Sequence, residues 1–228
     1  MMSIVIPTLN EEENIAMLIS YLQKCCAGKN AEIIIVDGGS TDRTRERAAS
    51  LDVKVIESAQ KSRAIQMNMG ATVAQFDIIY FIHADSIPPQ TFYTDIISAV
   101  KNGYAIGRYR TKFKGNKFLL KFNAFFTRFD WFVCYGGDQT LFITANLFNK
   151  INGYDESLLI MEEYDFVQRA KQLALYKIFS DTALVSIRKY DSIPWLKVQI
   201  ANYKIVQLYK KGIPQKELVE KYQQSLKT

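Results

Sequence analysis

Four short apolar runs separated by amphipathic stretches fill the N-terminal half of this 228-residue chain, and no other feature restricts its fold as much. The runs are Ser3–Ile6, Glu32–Val36, Val53–Ile56 and Ile78–Ile82, each bounded by Pro, Gly or acidic residues. Runs this short, rich in Ile and Val, read as strands buried on both faces. Between them, Ile15, Leu18, Ile19 and Leu22 recur at helical spacing, and Ile65, Met69 and Val73 give a later helix its inward face. Asn10 and Glu11–Glu13 suit the opening of the first helix, and Gly28 its end. Pro7 is expected to stop the first strand, and Ser40 or Thr41 to cap the helix carrying Arg43, Arg45, Glu46 and Arg47. Pro89 suits the first turn of a fourth helix, with Phe92, Ile96 and Val100 turned inward. Alternation of this kind specifies an α/β fold, a mostly parallel Rossmann-like central sheet with helices on both faces. The second half is less regular. Strands are expected near Tyr104–Tyr109, Gln139–Thr144, Leu175–Ser180 and Ala183–Ile187, a helix over Glu162–Leu173, and two C-terminal helices, Pro194–Lys211 and from Pro214 onward. With no repeat or linker-like stretch, the chain reads as one domain.

Ligands bind beyond the carboxyl ends of the strands in an open parallel sheet. The fourth run leads into His83, Ala84 and Asp85, and strand alternation would point His83, the one histidine, and Asp85 to the same side. A solvated strand end explains the pair equally well. Asp37 closes the second run ahead of Gly38 and Gly39, a strand-end carboxylate beside glycines that let a ligand approach the backbone, though a plain strand-to-helix turn uses the same residues. It matches neither the dinucleotide fingerprint nor the phosphate-cradling loop. Glu162, Glu163 and Asp165 begin a helix, where carboxylates suit the dipole; the alternative makes one of them a general base.

Charge narrows the partners. Lys and Arg number 29 against 23 Asp and Glu, a net +6 that favours phosphates, nucleotides or a lipid surface. Between Ile96 and Phe129 there is no carboxylate, while Arg108, Arg110, Lys112, Lys114, Lys117, Lys121 and Arg128 fall there among Phe118, Phe122, Phe125 and Phe126. A core-facing helix with solvated lysines is the expectation; an interfacial helix with its aromatic face in lipid is the sharper alternative. Trp195, Lys197, Tyr203 and Lys204 invite the same comparison. The aromatics lack an RNA-binding arrangement, so no nucleic acid is expected. Cys25, Cys26 and Cys134 are too few and wrongly spaced for a disulfide framework or zinc site. The early acidic residues argue against a signal peptide, and no apolar run is long enough to span a bilayer, so a cytoplasmic location is expected.

Six segments in order, SIVIPTLNEEENI, IIIVDGGSTDRT, SRAIQMNMGA, FIHADS, GGDQTLFI and MEEYDF, resemble family 2 glycosyltransferases of the GT-A fold from about Ser3 to Tyr190. Within that family the chain is similar to a compact bacterial branch labelled radical-SAM- or selenodomain-associated. The resemblance implies a nucleotide-sugar-binding half (1–103), an acceptor-side half (104–190) and C-terminal helices (191–228). It implies a nucleoside-diphosphate sugar donor held by Pro7, Thr8, Asn10, Glu11, Asp37, Gly38, Arg63, Ala84 and Asp85. Asp85, with His83 beside it in place of a first aspartate, would hold Mn²⁺ or Mg²⁺. Glu163 would be the base that deprotonates an acceptor hydroxyl, with inversion, and Glu162 its rival. Asp138 and Gln139 would shape the acceptor side, and Arg188 or Lys189 would meet the phosphates. A lipid-linked acceptor and a peripheral position on the inner membrane face are compatible with this. A non-catalytic nucleotide-binding or membrane-surface module of the same fold is the alternative, and a nucleotidyltransferase the third reading.

Overall fold

The computed structural model describes residues 1–115, 118–136 and 140–227. Its strands are β1 (Met2–Thr8), β2 (Ala31–Asp37), β3 (Lys54–Glu57), β4 (Ile78–Phe81), β5 (Ser86–Ile87), β6 (Ile106–Phe113), β7 (Leu141–Thr144) and β8 (Tyr176–Val185). The helices are α1 (Ile15–Cys25), α2 (Thr44–Ala49), α3 (Arg63–Thr72), α4 (Phe92–Lys101) and α5 (Phe118–Phe126), then α6 (Ala145–Lys150), α7 (Glu162–Lys171), α8 (Arg188–Ser192), α9 (Trp195–Lys210) and α10 (Gln215–Lys227).

All the strands join one eight-stranded sheet in the order β3-β2-β1-β4-β7-β6-β8-β5. The β3-β2-β1-β4 half is parallel, as the alternation requires, whereas β7 runs antiparallel to both β4 and β6. Every residue of β1 is buried, and its side chains divide by parity. Met2, Ile4 and Ile6 pack with α1 and α4 on one face; Val5 packs with Met67, Phe148 and Phe166 on the other.

Five expectations change. Pro7 lies inside β1, opposite Val36; the ladder to β4 ends at Val5, so the missing N–H leaves no gap there. Glu11–Glu13 precede α1 instead of starting it, and Ser40 and Thr41 tie loops together instead of capping α2, whose N-cap is Arg43. The two late strand patches form one strand, β8, with a bulge where Tyr109 pairs with Phe179 and Arg110 with Thr182.

The fifth change concerns α3, which buries Ala64, Met67 and Gly70, while Ile65, Met69 and Val73 are only half-buried. Gly70 causes the rotation. A Cβ there would stand 2.2 Å from Val5 Cγ1 and 3.1 Å from Val36 Cγ2, so only glycine lets α3 lie this close to the sheet. Gly70→Ala is expected to destabilise the fold by about 1–3 kcal/mol, the overpacking penalty exceeding the roughly 0.5–1 kcal/mol gained in helix propensity. The midpoint of urea unfolding measures it, and an unchanged or raised midpoint would contradict this packing.

The aromatic segment also differs from the core-facing expectation. Leu120 is the one buried side chain of α5, and Phe118, Phe122 and Phe125 face outward. Arg108 leaves the basic run altogether. It is 1% exposed and donates to the carbonyls of Thr127 (2.6 Å) and Phe129 (3.1 Å), fixing the chain after α5.

Candidate active site

Two loops leave the carboxyl ends of β1 and β2, and Asp37 joins them. Its carboxylate is fully buried and accepts hydrogen bonds from the Gly39 N–H (3.0 Å), the Ser40 N–H (2.7 Å), Ser40 Oγ (2.5 Å) and Thr8 Oγ1 (3.1 Å). Gly38 donates to the Thr8 carbonyl, and Gln66 of α3 donates to the carbonyls of Thr8 and Val36. Asn10, at φ 55°, accepts from the Thr41 N–H and donates its own N–H to Ser40 Oγ. Thus Asp37, Gly38 and Asn10 shape the loops from within. Gln66 belongs with them; it lies within the SRAIQMNMGA segment, where the resemblance gives a role only to Arg63.

Beyond β4 the chain turns at once, the Ser86 N–H closing onto the His83 carbonyl, so strand alternation does not govern His83 and Asp85. The turn still brings both to one cavity. His83 Nε2 meets Glu163 Oε1 at 2.8 Å, joining the end of β4 to the start of α7. Beside it, Arg63 Nε lies 3.0 Å from Glu162 Oε1, a charge contact out of line for a hydrogen bond. Met161 precedes the two glutamates at φ 71°, a left-handed conformation that a non-glycine residue adopts at a cost of roughly 1–3 kcal/mol.

Glu162 is 3% exposed, and burial raises its carboxyl pKa against the lowering influence of Arg63. A carboxyl raised on folding contributes stability that is complete below its unfolded pKa of about 4.3 and is lost as pH climbs through the folded value. Glu162→Gln removes that dependence. The melting temperature of the native chain is therefore expected to fall relative to the variant between pH 4 and pH 8, and parallel curves would contradict the burial argument.

These groups divide between two cavities. The first, of about 360 Å³, is lined by Pro7, Thr8, Glu11, Arg63, His83, Ala84 and Asp85, together with Lys61 and Gln66. The second, of about 310 Å³, is lined by Arg63, Met161, Glu162, Glu163 and Tyr164 and reaches α9 and α10. Arg63 lines both. Arg188 and Lys189, adjacent in sequence, part company: Arg188 pairs with Glu11 at 2.6 Å, and Lys189 lines the second cavity and contacts the Tyr222 hydroxyl. The Glu11 hydrogen bond raises the Arg188 pKa further, with Asp85 adding to it, so this cation stands beside the first cavity. Lys61 lies outside the six segments, and Tyr164, although within MEEYDF, is given no role by the resemblance; it stands out in three dimensions, because a Cβ on Gly136 would collide with its ring. Asp138 and Gln139, expected on the acceptor side, lie outside the described residues.

The profile of glycosyl transferase family 2 matches residues 3–154. The chain belongs to that family. It is 36% identical over 120 residues to a dolichol-phosphate mannosyltransferase of Pyrococcus furiosus, a match covering 50% of this chain and 34% of the relative. It is 33% identical over 101 residues to a glucosyl-3-phosphoglycerate synthase of Mycolicibacterium smegmatis, covering 40% of this chain and 33% of that one. The chain thus spans about a third of these relatives' length. Among solved structures, a Pyrobaculum calidifontis mannosyltransferase in complex with GDP-Man and Mn²⁺ superposes at TM-score 0.70, with 13% identity, over 92% of this chain and 63% of that one. S. aureus TarS 1-349 gives 0.68 at 16% identity, over 90% of this chain and 65% of that one. The fold is GT-A, as the resemblance implied.

The matched region ends before α7, so it covers the lining residues of the first cavity apart from Leu159 and leaves out the glutamates of the second. The donor set suits one kind of metal site. Among the described residues no group of three or more His, Cys, Asp or Glu could hold an ion unaided. Asp85 supplies a hard carboxylate at the first cavity, and Mg²⁺ commonly binds through one or two carboxylates plus substrate phosphates. The residues therefore fit a cation shared with a diphosphate. His83 already engages Glu163 through Nε2.

Proposed function

We propose that this chain transfers a sugar, with inversion, from a nucleoside-diphosphate sugar in the first cavity to an acceptor hydroxyl in the second. The observation that carries the reading is the junction: Arg63 walls both cavities, and His83 of the first holds Glu163 of the second. Nucleotide and sugar would lie over Pro7, Thr8, Glu11 and Ala84, on loops that Asn10, Asp37 and Gly38 hold rigid. Preorganised loops lower the ordering cost of binding. Arg63, Lys61 and Arg188 offer positive charge to the diphosphate. Asp85 would hold Mn²⁺ or Mg²⁺ there, with His83 as a second candidate ligand, and the cation would neutralise charge developing on the leaving diphosphate.

Glu163 takes the acceptor proton as the acceptor oxygen bonds to the anomeric carbon and the carbon–oxygen bond to the diphosphate breaks. Glu162, held against Arg63 and 3% exposed, is the less accessible base. A lipid-linked acceptor and peripheral attachment to the inner membrane face belong to the same reading. The relatives named above include enzymes of lipid-phosphate and small-molecule acceptors, so acceptor class is the open variable.

Calorimetric titration with UDP, GDP, CDP and dTDP, with and without Mn²⁺, tests the donor site. One diphosphate is expected to bind preferentially, and more tightly with Mn²⁺. Failure of all four to bind under either condition would overturn the assignment of the first cavity.

A further inference from the structure

The second cavity has an uncharged extension. A groove of about 460 Å³ runs between α5 and α9, with Phe122 and Phe126 on one wall, Trp195 and Tyr203 on the other, and Val133 at its edge. Among the described residues, none of those lining it is Asp, Glu, Lys, Arg or His. It shares Gly136, Tyr164, Tyr190, Asn202 and Val206 with the cavity that holds Glu162 and Glu163. A groove walled largely by aromatic side chains thus adjoins the cavity of the carboxylate proposed as base.

Outside the groove the surface stays apolar. Phe118 is 79% exposed, Phe125 46% and Trp131 49%, and on α9 Leu196 and Ile200 are exposed too. Soluble monomers rarely leave so many large apolar side chains together in water. The charge around them has one sign over a long stretch. Lys112, Lys121 and Arg128 are exposed, Arg128 lies 3.9 Å over the Phe125 ring, and no carboxylate occurs between Ile96 and Phe129. Aromatic side chains interleaved with cations fit a bilayer interface with anionic headgroups. A second copy of this chain would set these cations against one another. No described helix is long and apolar enough to cross a membrane, so the face would lie on the bilayer.

We propose that this face docks on an anionic bilayer and that the acceptor is an amphiphile whose apolar tail enters the α5–α9 groove, delivering its hydroxyl to Glu163. The membrane half stands independently of the transfer reading; the acceptor half rests on it.

Flotation of the full chain with phosphatidylcholine vesicles, with and without phosphatidylglycerol, tests the docking. Binding is expected only with the anionic lipid and should weaken as salt rises. The Phe118→Ser/Phe125→Ser variant, altered at two exposed positions outside the groove, should lose at least about tenfold in partitioning, since burying each ring contributes about 1.5–3 kcal/mol. Its calorimetric affinity for the preferred nucleoside diphosphate should not change. The groove has a separate readout. The chain has two tryptophans, so Trp131→Phe leaves Trp195 on the groove wall as sole reporter. A bromine-labelled dodecyl glucoside below its micelle concentration should quench it, and glucose should not. No binding to anionic vesicles, full binding by the double variant, or self-association that the double variant abolishes would overturn the docking. Absence of quenching would overturn the groove as tail site. Loss of diphosphate binding by the native chain with vesicle binding intact would instead defeat the transfer reading.

Discussion

Glu163→Gln is expected to lower sugar transfer by about 10²–10⁴-fold while leaving nucleoside-diphosphate affinity within about twofold, because a positioned general base contributes on that order. Glutamine keeps the size of the side chain and an oxygen that can still meet His83 Nε2, which lies 2.8 Å from the carboxylate, so the start of α7 should hold. What disappears is the ability to accept a proton. The comparison with Glu162→Gln is decisive. Both carboxylates line the second cavity, but Glu162 faces Arg63 and is 3% exposed. Single-turnover measurements on both variants separate the roles. Full activity in Glu163→Gln with loss in Glu162→Gln would move the base by one residue.

Asp85→Asn is the second large effect. Asparagine preserves shape and one oxygen but removes the negative charge that would hold a divalent cation against a diphosphate. Disturbing only an outer partner of a metal site costs about 10–100-fold in metal affinity, so loss of a ligand should cost at least that. In calorimetry, Mn²⁺ should tighten nucleoside-diphosphate binding to the native chain and have little effect on the variant. Arg188 complicates the metal-free value in a useful way. It pairs with Glu11, and removing the Asp85 charge leaves that pair in place while lessening the negative charge that opposes a phosphate. Metal-free affinity should therefore stay level or rise slightly. An undiminished Mn²⁺ effect in Asp85→Asn would place the cation elsewhere.

The parallel half of the sheet was legible because β1, β2, β3 and β4 are short, apolar and separated by punctuating residues. Periodicity failed where one glycine outweighed it. Ile65, Met69 and Val73 form the more hydrophobic stripe of α3, but Gly70 admits closer approach to Val5 and Val36, and the helix turns that way. For α5 the error was of another kind. Helical spacing of Phe118, Phe122 and Phe125 identified a face, but spacing carries no information about whether protein or solvent lies opposite. Among site residues, the resemblance picked out those on strand-end loops, seven of which line the first cavity. It could not show that Asp37 is enclosed, because that depends on donors from two segments, Thr8 and the Gly39-Ser40 turn, converging on one carboxylate. Nor could it separate Arg188 from Lys189, neighbours whose directions diverge only once α8 forms.

Met161 has a consequence for when the site comes into being. Its side chain packs with Ile205, Val206 and Leu218 of α9 and α10, while its backbone, at φ 71°, launches the helix that bears Glu162 and Glu163. The unfavourable backbone angle is compensated by contacts made some forty to sixty residues later. The two carboxylates are thus aimed only when α9 and α10 are in place, whereas the loops after β1 and β2 are joined by Thr8, Asn10, Asp37 and Ser40 without help from those helices.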